Sequence, residues 1–173
     1  PDTNCNTGLV VTQLDTSGMY DGFTLSFWVK QDSLQFCYGP RMLTWGGIQF
    51  YPTGGGTSTN GFVIQHFGQS TGMSTTISND MKNWNNIIYT FGLDSVRLYL
   101  NSSLVWVTNN QHPYPNSFVG PGLHFGLNWY NDPNYPGSFN GQLDDIGIWN
   151  RELDITEIGN LYGGSCQVYD TIT

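Results

Sequence analysis

The chain has 173 residues, with 13 Asp or Glu against 5 Lys or Arg and a net charge of −8. That length suits one compact domain with a full hydrophobic core, and that charge excludes nucleic-acid phosphates and anionic membrane surfaces as electrostatic partners. No apolar run approaches the roughly 20 residues of a membrane-crossing helix, so no membrane insertion is expected.

Strand-like runs fall at nearly regular intervals, at 9–12, 23–31, 42–45, 48–51, 61–67, 74–77, 86–91, 95–100, 104–108, 123–127 and 142–149. Gly, Asn, Ser and Thr between them supply turns, and the pattern is all-β. In 23–30, Phe23, Leu25, Phe27 and Val29 alternate with Thr24, Ser26 and Lys30, so one face enters the core; Trp28 interrupts the polar face. The 53–60 stretch is a Gly/Thr/Ser-rich loop. Residues 95–107 predict a hairpin turning at Asn101-Ser102-Ser103, with Val96, Leu98 and Leu100 on one side. The same triplet is an N-glycosylation sequon. Two later stretches, 109–122 and 128–138, are crowded with Asn, Pro, Tyr and Trp, a composition suited to loops that hold a shape.

The C-terminal part is the most informative. A strand carries Ile146, Ile148 and Trp149 with Asp144 and Asp145 at its start, and alternation assigns one carboxylate to each face. Asp154-Ile155-Thr156-Glu157 then supplies an N-cap and a Glu three residues on. Ile155, Ile158, Leu161 and Tyr162 recur at helical spacing until Gly163-Gly164. One short helix near the C-terminus is therefore expected.

Neither repeats nor a linker-like composition shift divides the chain, so residues 1–173 read as a single domain. It begins at Pro1 without a Met, which suggests a mature or excised part of a larger protein with other domains. Cys5 and Cys166 lie near opposite ends, and antiparallel sandwiches often set their terminal strands side by side, which makes Cys5–Cys166 the first choice among three pairings. Cys37 is then a buried small hydrophobe or pairs outside this chain. With the sequon, the cysteines favour an extracellular setting.

The segments FTLSFWVK (23–30), WNNIIYTF (84–91), VRLYLNSSLV (96–105) and FNGQLDDIGIWNRELDITEIGNLY (139–162) resemble, in order, the laminin-G-like, concanavalin A-like jelly rolls, especially their pentraxin-related branch. The resemblance covers most of the chain and is weakest over residues 1–20. It implies an all-β, two-sheet antiparallel jelly-roll sandwich with one short helix near the C-terminus. It implies function only coarsely, since this fold serves lectins, carbohydrate-binding modules, adhesion domains and some glycosidases.

Glycosidases of this fold set a Glu-x-Asp-x-x-Glu motif on one strand, because acid and nucleophile must flank the scissile bond. That motif is absent. Glu152 and Glu157 sit at the predicted helix, where capping explains them. Gly68-Gln69-Ser70-Thr71-Gly72 matches a nucleophile-elbow pattern but lies between two β-like runs with no helix following. His66, His112 and His124 share no metal-type spacing. A non-catalytic protein is therefore expected.

In pentraxin-like members an acidic and amide cluster precedes the penultimate strand and holds Ca²⁺, which takes six to eight oxygen ligands. Here that loop contains Asn128, Asn131, Asp132 and Asn134. A second contribution, from the 53–60 loop, is not recognisable. In other laminin-G-like domains a carboxylate on the Asp-pair strand binds calcium, implicating Asp144 or Asp145; alternatively these accept backbone or Arg hydrogen bonds at a strand edge. The candidate metal set is therefore Asn131, Asp132, Asp144 and Asp145.

The same loop has the residue types of a sugar site. Trp129, Tyr130 and Tyr135 offer rings for the C–H faces of pyranoses, while Asn128, Asn131 and Asp132 offer hydrogen bonds to hydroxyls. His112 and Tyr114 could form a second wall. The alternative is that these rings pin a long loop to the sandwich. The expected protein is a non-catalytic extracellular carbohydrate-binding module at a cell or virion surface, assisted by calcium, with a glycan or glycoprotein ligand. The competing class is a structural or protein-interaction domain of a fibre, adhesin or capsid-associated protein; an atypical glycosidase ranks third.

Overall fold

A computed structural model of the protein describes residues 8–16, 18–19, 21–32, 40–45, 47–53, 59–66, 73–109, 122–126 and 138–164. Its strands are β1 Leu9–Val11, β2 Phe23–Gln31, β3 Leu43–Trp45, β4 Ile48–Pro52, β5 Gly61–His66, β6 Met73–Ser78, β7 Asn85–Phe91, β8 Ser95–Leu100, β9 Ser103–Asn109, β10 Leu123–Phe125 and β11 Gly141–Trp149, followed by helix α1, Ile155–Tyr162. They form a six-stranded sheet, β1-β10-β3-β4-β5-β6, and a five-stranded sheet, β11-β2-β7-β8-β9. Every strand pair is antiparallel, as a two-sheet jelly roll requires.

Alternation along each strand builds the core between the sheets. Phe23, Leu25, Phe27 and Val29 of β2 face inward with Ile87, Tyr89 and Phe91 of β7; Leu43, Trp45, Ile48, Phe50, Phe62 and Ile64 meet them from the other sheet. The rings interlock edge to face. Phe27 lies 5.2 Å from Phe50 at 83°, and Phe50 lies 5.9 Å from Tyr89 at 88°. Each such side chain contributes about 1.5–3 kcal/mol by leaving water, and well-oriented ring pairs add about 0.5–1.5 kcal/mol.

Helix α1 covers the outer face of the five-stranded sheet. Ile158 packs with Ile88, Tyr99 and Leu153, and Tyr162 stacks on Trp28 at 5.7 Å and 15°. That contact explains why an aromatic interrupts the polar face of β2. Thr24 Oγ1 donates to Arg151 O at 2.8 Å and accepts from Leu153 N at 2.9 Å, tying the chain before the helix to the sheet. The helix starts with a capping box: Asp154 accepts from the backbone N–H groups of Thr156 and Glu157, and Glu157 accepts from that of Asp154. Glu152 pairs with Arg97 and accepts from Thr90 Oγ1 at 3.2 Å. Both glutamates therefore have structural roles.

The β8–β9 hairpin turns on Asn101 and Ser102, at φ 50° and 64°, the left-handed pair that a two-residue hairpin needs. Asn101 Oδ1 accepts from Asn86 N at 2.9 Å and its Nδ2 donates to Asn85 Oδ1 at 3.1 Å. The turn thus accounts for Asn101, the acceptor residue of the sequon. Cys5, Cys37, Cys166 and residues 68–72 lie outside the described residues.

Candidate ligand-binding face

The outer face of the six-stranded sheet carries the strongest polar constellation among the described residues. Leu43, Trp45, Ile48, Phe50, Phe62, Ile64, Leu123 and Phe125 face the core, so alternation turns Thr44, Gln49, Tyr51, Val63, Gln65 and His124 the other way. Cross-strand register then sets Val10, His124, Thr44, Gln49, Gln65 and Ser74 in one rank across all six strands.

Hydrogen bonds order the middle of this rank. Arg41 Nε donates to Gln49 Oε1 at 2.7 Å, and its guanidinium carbon lies 4.3 Å over the centre of the Tyr51 ring. Tyr51 in turn donates to Gln65 Oε1 at 3.2 Å. Thr44, only 1% exposed, has an Oγ1 with no hydrogen-bond partner. Leaving a buried hydroxyl unpaired costs about 1–3 kcal/mol. Burial lowers the pKa of the neighbouring His124 below the usual imidazole value, which favours the neutral ring with one donor and one acceptor.

The six strands hold no Asp or Glu. Their outward residues are uncharged donors and acceptors with the rings of Tyr51 and His124, and Arg41, just before β3, stacks its guanidinium on Tyr51. Such a face can hydrogen-bond a polyhydroxylated ligand; its strands offer no pair of carboxylates for general acid and nucleophile.

Asn128, Trp129, Tyr130, Asn131, Asp132 and Tyr135 lie outside the described residues, as do His112 and Tyr114. Residues 110–121 lead into β10 and residues 127–137 lead out of it, and β10 is the strand that carries His124. Gly126 N donates to Met42 O and Phe139 N to Gly126 O, each at 3.0 Å, while Ser138 bridges Arg41.

Asp144 and Asp145 sit elsewhere, on β11, an edge of the five-stranded sheet. Alternation does not describe them. Asp144 pairs with Trp28 and Gly147 with Ser26, so Asp145 and Ile146 together oppose Phe27 in a β-bulge. Asp145 adopts φ 45°, and its N–H donates to Asp144 Oδ1 at 2.9 Å. Both carboxylates are exposed rather than divided between core and solvent. Two carboxylates fall short of the six to eight oxygens that a calcium shell requires. No group of three His, Cys, Asp or Glu among the described residues is placed to hold a metal.

Sequence reading missed the face built from Arg41, Thr44, Gln49, Tyr51, Gln65 and His124. A signal was present in β4 and β5, where Gln49, Tyr51 and Gln65 alternate with core residues. Only cross-strand pairing assembles them.

The laminin G profile described as the concanavalin A-like lectin/glucanases superfamily matches residues 4–159. Comparison with curated proteins gives no match. Among solved structures, botulinum neurotoxin type C, reported to interact with two ganglioside molecules, superposes with a TM-score of 0.66 at 19% identity over 91% of this chain and 40% of that one. The binding domain of botulinum neurotoxin DC bound to rat synaptotagmin II gives the same values. Its complex with SialylT is similar at 18% identity, 91% and 40% coverage and a TM-score of 0.66. The chain thus spans about two fifths of these neighbours, and the likeness is one of fold.

Proposed function

The chain belongs to the concanavalin A-like lectin/glucanases superfamily, and on that premise we propose that it is a non-catalytic carbohydrate-binding module acting at a cell or virion surface. The outer face of the six-stranded sheet is its ligand site. The observation that carries this reading is the set of half-buried polar side chains His124, Gln65 and Tyr51, with Arg41 stacked on Tyr51 and bonded to the buried Gln49 in the same cross-strand rank. Sugars present dense hydroxyls that both donate and accept, which suits such a face.

His112, Tyr114, Trp129, Tyr130 and Tyr135 offer further rings for a saccharide. Asn128, Asn131 and Asp132 add hydrogen-bonding groups. The ganglioside interaction of one neighbour and the SialylT and synaptotagmin II complexes of another support a glycan or glycoprotein ligand. The parent protein carries further domains outside the cell. Calcium, where it assists, is held by Asn131 and Asp132, or structurally by Asp144 and Asp145. The six strands of that sheet carry no Asp or Glu, a composition suited to binding.

A glycan array probed with the 173-residue chain, in Ca²⁺ and in chelator, tests this reading. We expect binding that falls at least tenfold in Gln65→Ala and in Trp129→Ala. Absence of binding in both conditions would overturn the carbohydrate reading and favour a structural or protein-interaction domain. Equal binding in both conditions removes calcium from recognition.

A further inference from the structure

The triplet Asn101-Ser102-Ser103 has the spacing of an N-glycosylation site and spans the β8–β9 turn. Glycosyl transfer would join the anomeric carbon of a sugar to Asn101 Nδ2: the nitrogen loses a proton, the N–C bond forms, and the diphosphate of the lipid-linked donor leaves. The product is a planar secondary amide that prefers the trans form. Its sugar stands opposite Cβ, on the Oδ1 side of Nδ2.

That edge of the amide is already taken. Asn101 N donates to Asn86 O and Asn86 N donates to Asn101 Oδ1, each at 2.9 Å, so a side-chain carbonyl stands in for a strand partner where the β7–β8 ladder ends. Asn101 Nδ2 donates to Asn85 Oδ1 at 3.1 Å. The two side-chain bonds go to consecutive residues and so use one edge of the amide. The hydrogen given to Asn85 is therefore the one that a glycan would replace.

Asn85 has no freedom to give way. It is buried, its Nδ2 donates to Asp80 O at 3.0 Å and to Asn83 O at 2.8 Å, and its Oδ1 also accepts from Asn79 Nδ2. One buried amide thus joins the chain before β7 to the β8–β9 turn. The backbone adds a second constraint, since Asn101 and Ser102 are both left-handed, at φ 50° and 64°, and hold the triplet folded back rather than extended.

We propose that the native fold and a glycan at Asn101 exclude one another, so that the site is silent in the folded protein and its asparagine serves as the clasp of the β8–β9 turn. To take a sugar, the side chain must swing out to solvent. Asn86 N–H then loses its acceptor and Asn85 Oδ1 one of its two donors, and both residues are buried, where an unpaired group is costly. A chain glycosylated before β7 and β8 pair cannot close this end of the five-stranded sheet. The inference stands apart from the ligand face proposed above.

Secretion of the 173-residue chain from a eukaryotic host, with intact mass read before and after peptide N-glycosidase, tests the proposal. The folded secreted chain should carry no glycan at Asn101. Gln142→Thr, which completes a second triplet on the exposed Asn140, should be glycosylated there by the same host. In bacterially produced protein, Asn101→Gly keeps the left-handed turn but removes the amide, and should melt lower by roughly 4 °C. Ser103→Ala removes only the glycosylation signal and should melt like the parent. A folded secreted chain that carries a glycan at Asn101 and melts like Ser103→Ala, or an Asn101→Gly variant as stable as the parent, would overturn the proposal.

Discussion

The guanidinium of Arg41 lies over the ring of Tyr51, its carbon 4.3 Å from the ring centre. The same arginine holds Gln49, and the same tyrosine holds Gln65, so one stacked pair fixes the amides of two neighbouring strands. A preordered face loses less entropy when a ligand arrives.

Tyr51→Phe keeps the stack and removes the hydrogen bond to Gln65, whereas Tyr51→Ala removes both. Glycan affinity measured by titration calorimetry should fall only a few-fold in the first. It should fall at least tenfold in the second, about 1.4 kcal/mol. Equal losses would mean that the hydroxyl alone orders the face.

Thr44→Val replaces the unpartnered hydroxyl with a methyl of the same shape. Because that hydroxyl is buried without a partner, the variant should be more stable by about 1 kcal/mol in urea denaturation. Its glycan affinity should stay unchanged, since Thr44 is 1% exposed. A loss of stability would show that the hydroxyl has a partner in solution.

Asp145 holds a left-handed conformation that favours glycine. Asp145→Gly should raise the melting temperature, by relief of about 1 kcal/mol of backbone strain, and Asp145→Val should lower it. If the bulge contributes to a calcium site, Ca²⁺ raises the melting temperature of the parent chain but not of Asp145→Gly. Equal calcium shifts in both would remove Asp145 from any such site.

The Arg151 guanidinium, and then the Asp154 N–H, lower the Glu157 carboxyl from its ordinary value of 4.5 to about 2. A carboxyl more acidic in the folded chain than in the unfolded one stabilises the fold above the unfolded pKa. That contribution declines as pH falls from about 4.5 and is gone below about 2. Water screens this exposed pair, so the change is below about 1 kcal/mol. Stability of the parent chain should fall relative to Glu157→Gln across that window, followed by urea denaturation.

Much of the fold was legible because its determinants are local. Alternation in 23–31 marked the span and inward face of β2, Asn101-Ser102 marked a hairpin, and Asp154 with Glu157 marked the start of α1. The Asp pair misled for the opposite reason. A bulge is a property of how β11 pairs with β2, so alternation assigned Asp144 and Asp145 to opposite faces where the pairing exposes both.

By itself the sequence determined the all-β class, the strand succession, the capped helix and the family resemblance, since side-chain period and cap chemistry act within a few residues. Only the tertiary structure assembled the ligand face. His124 and Thr44 are 80 positions apart in the chain yet adjacent across β10 and β3. Register between distant strands is set by packing of the whole sandwich, and it also left Thr44 without a partner.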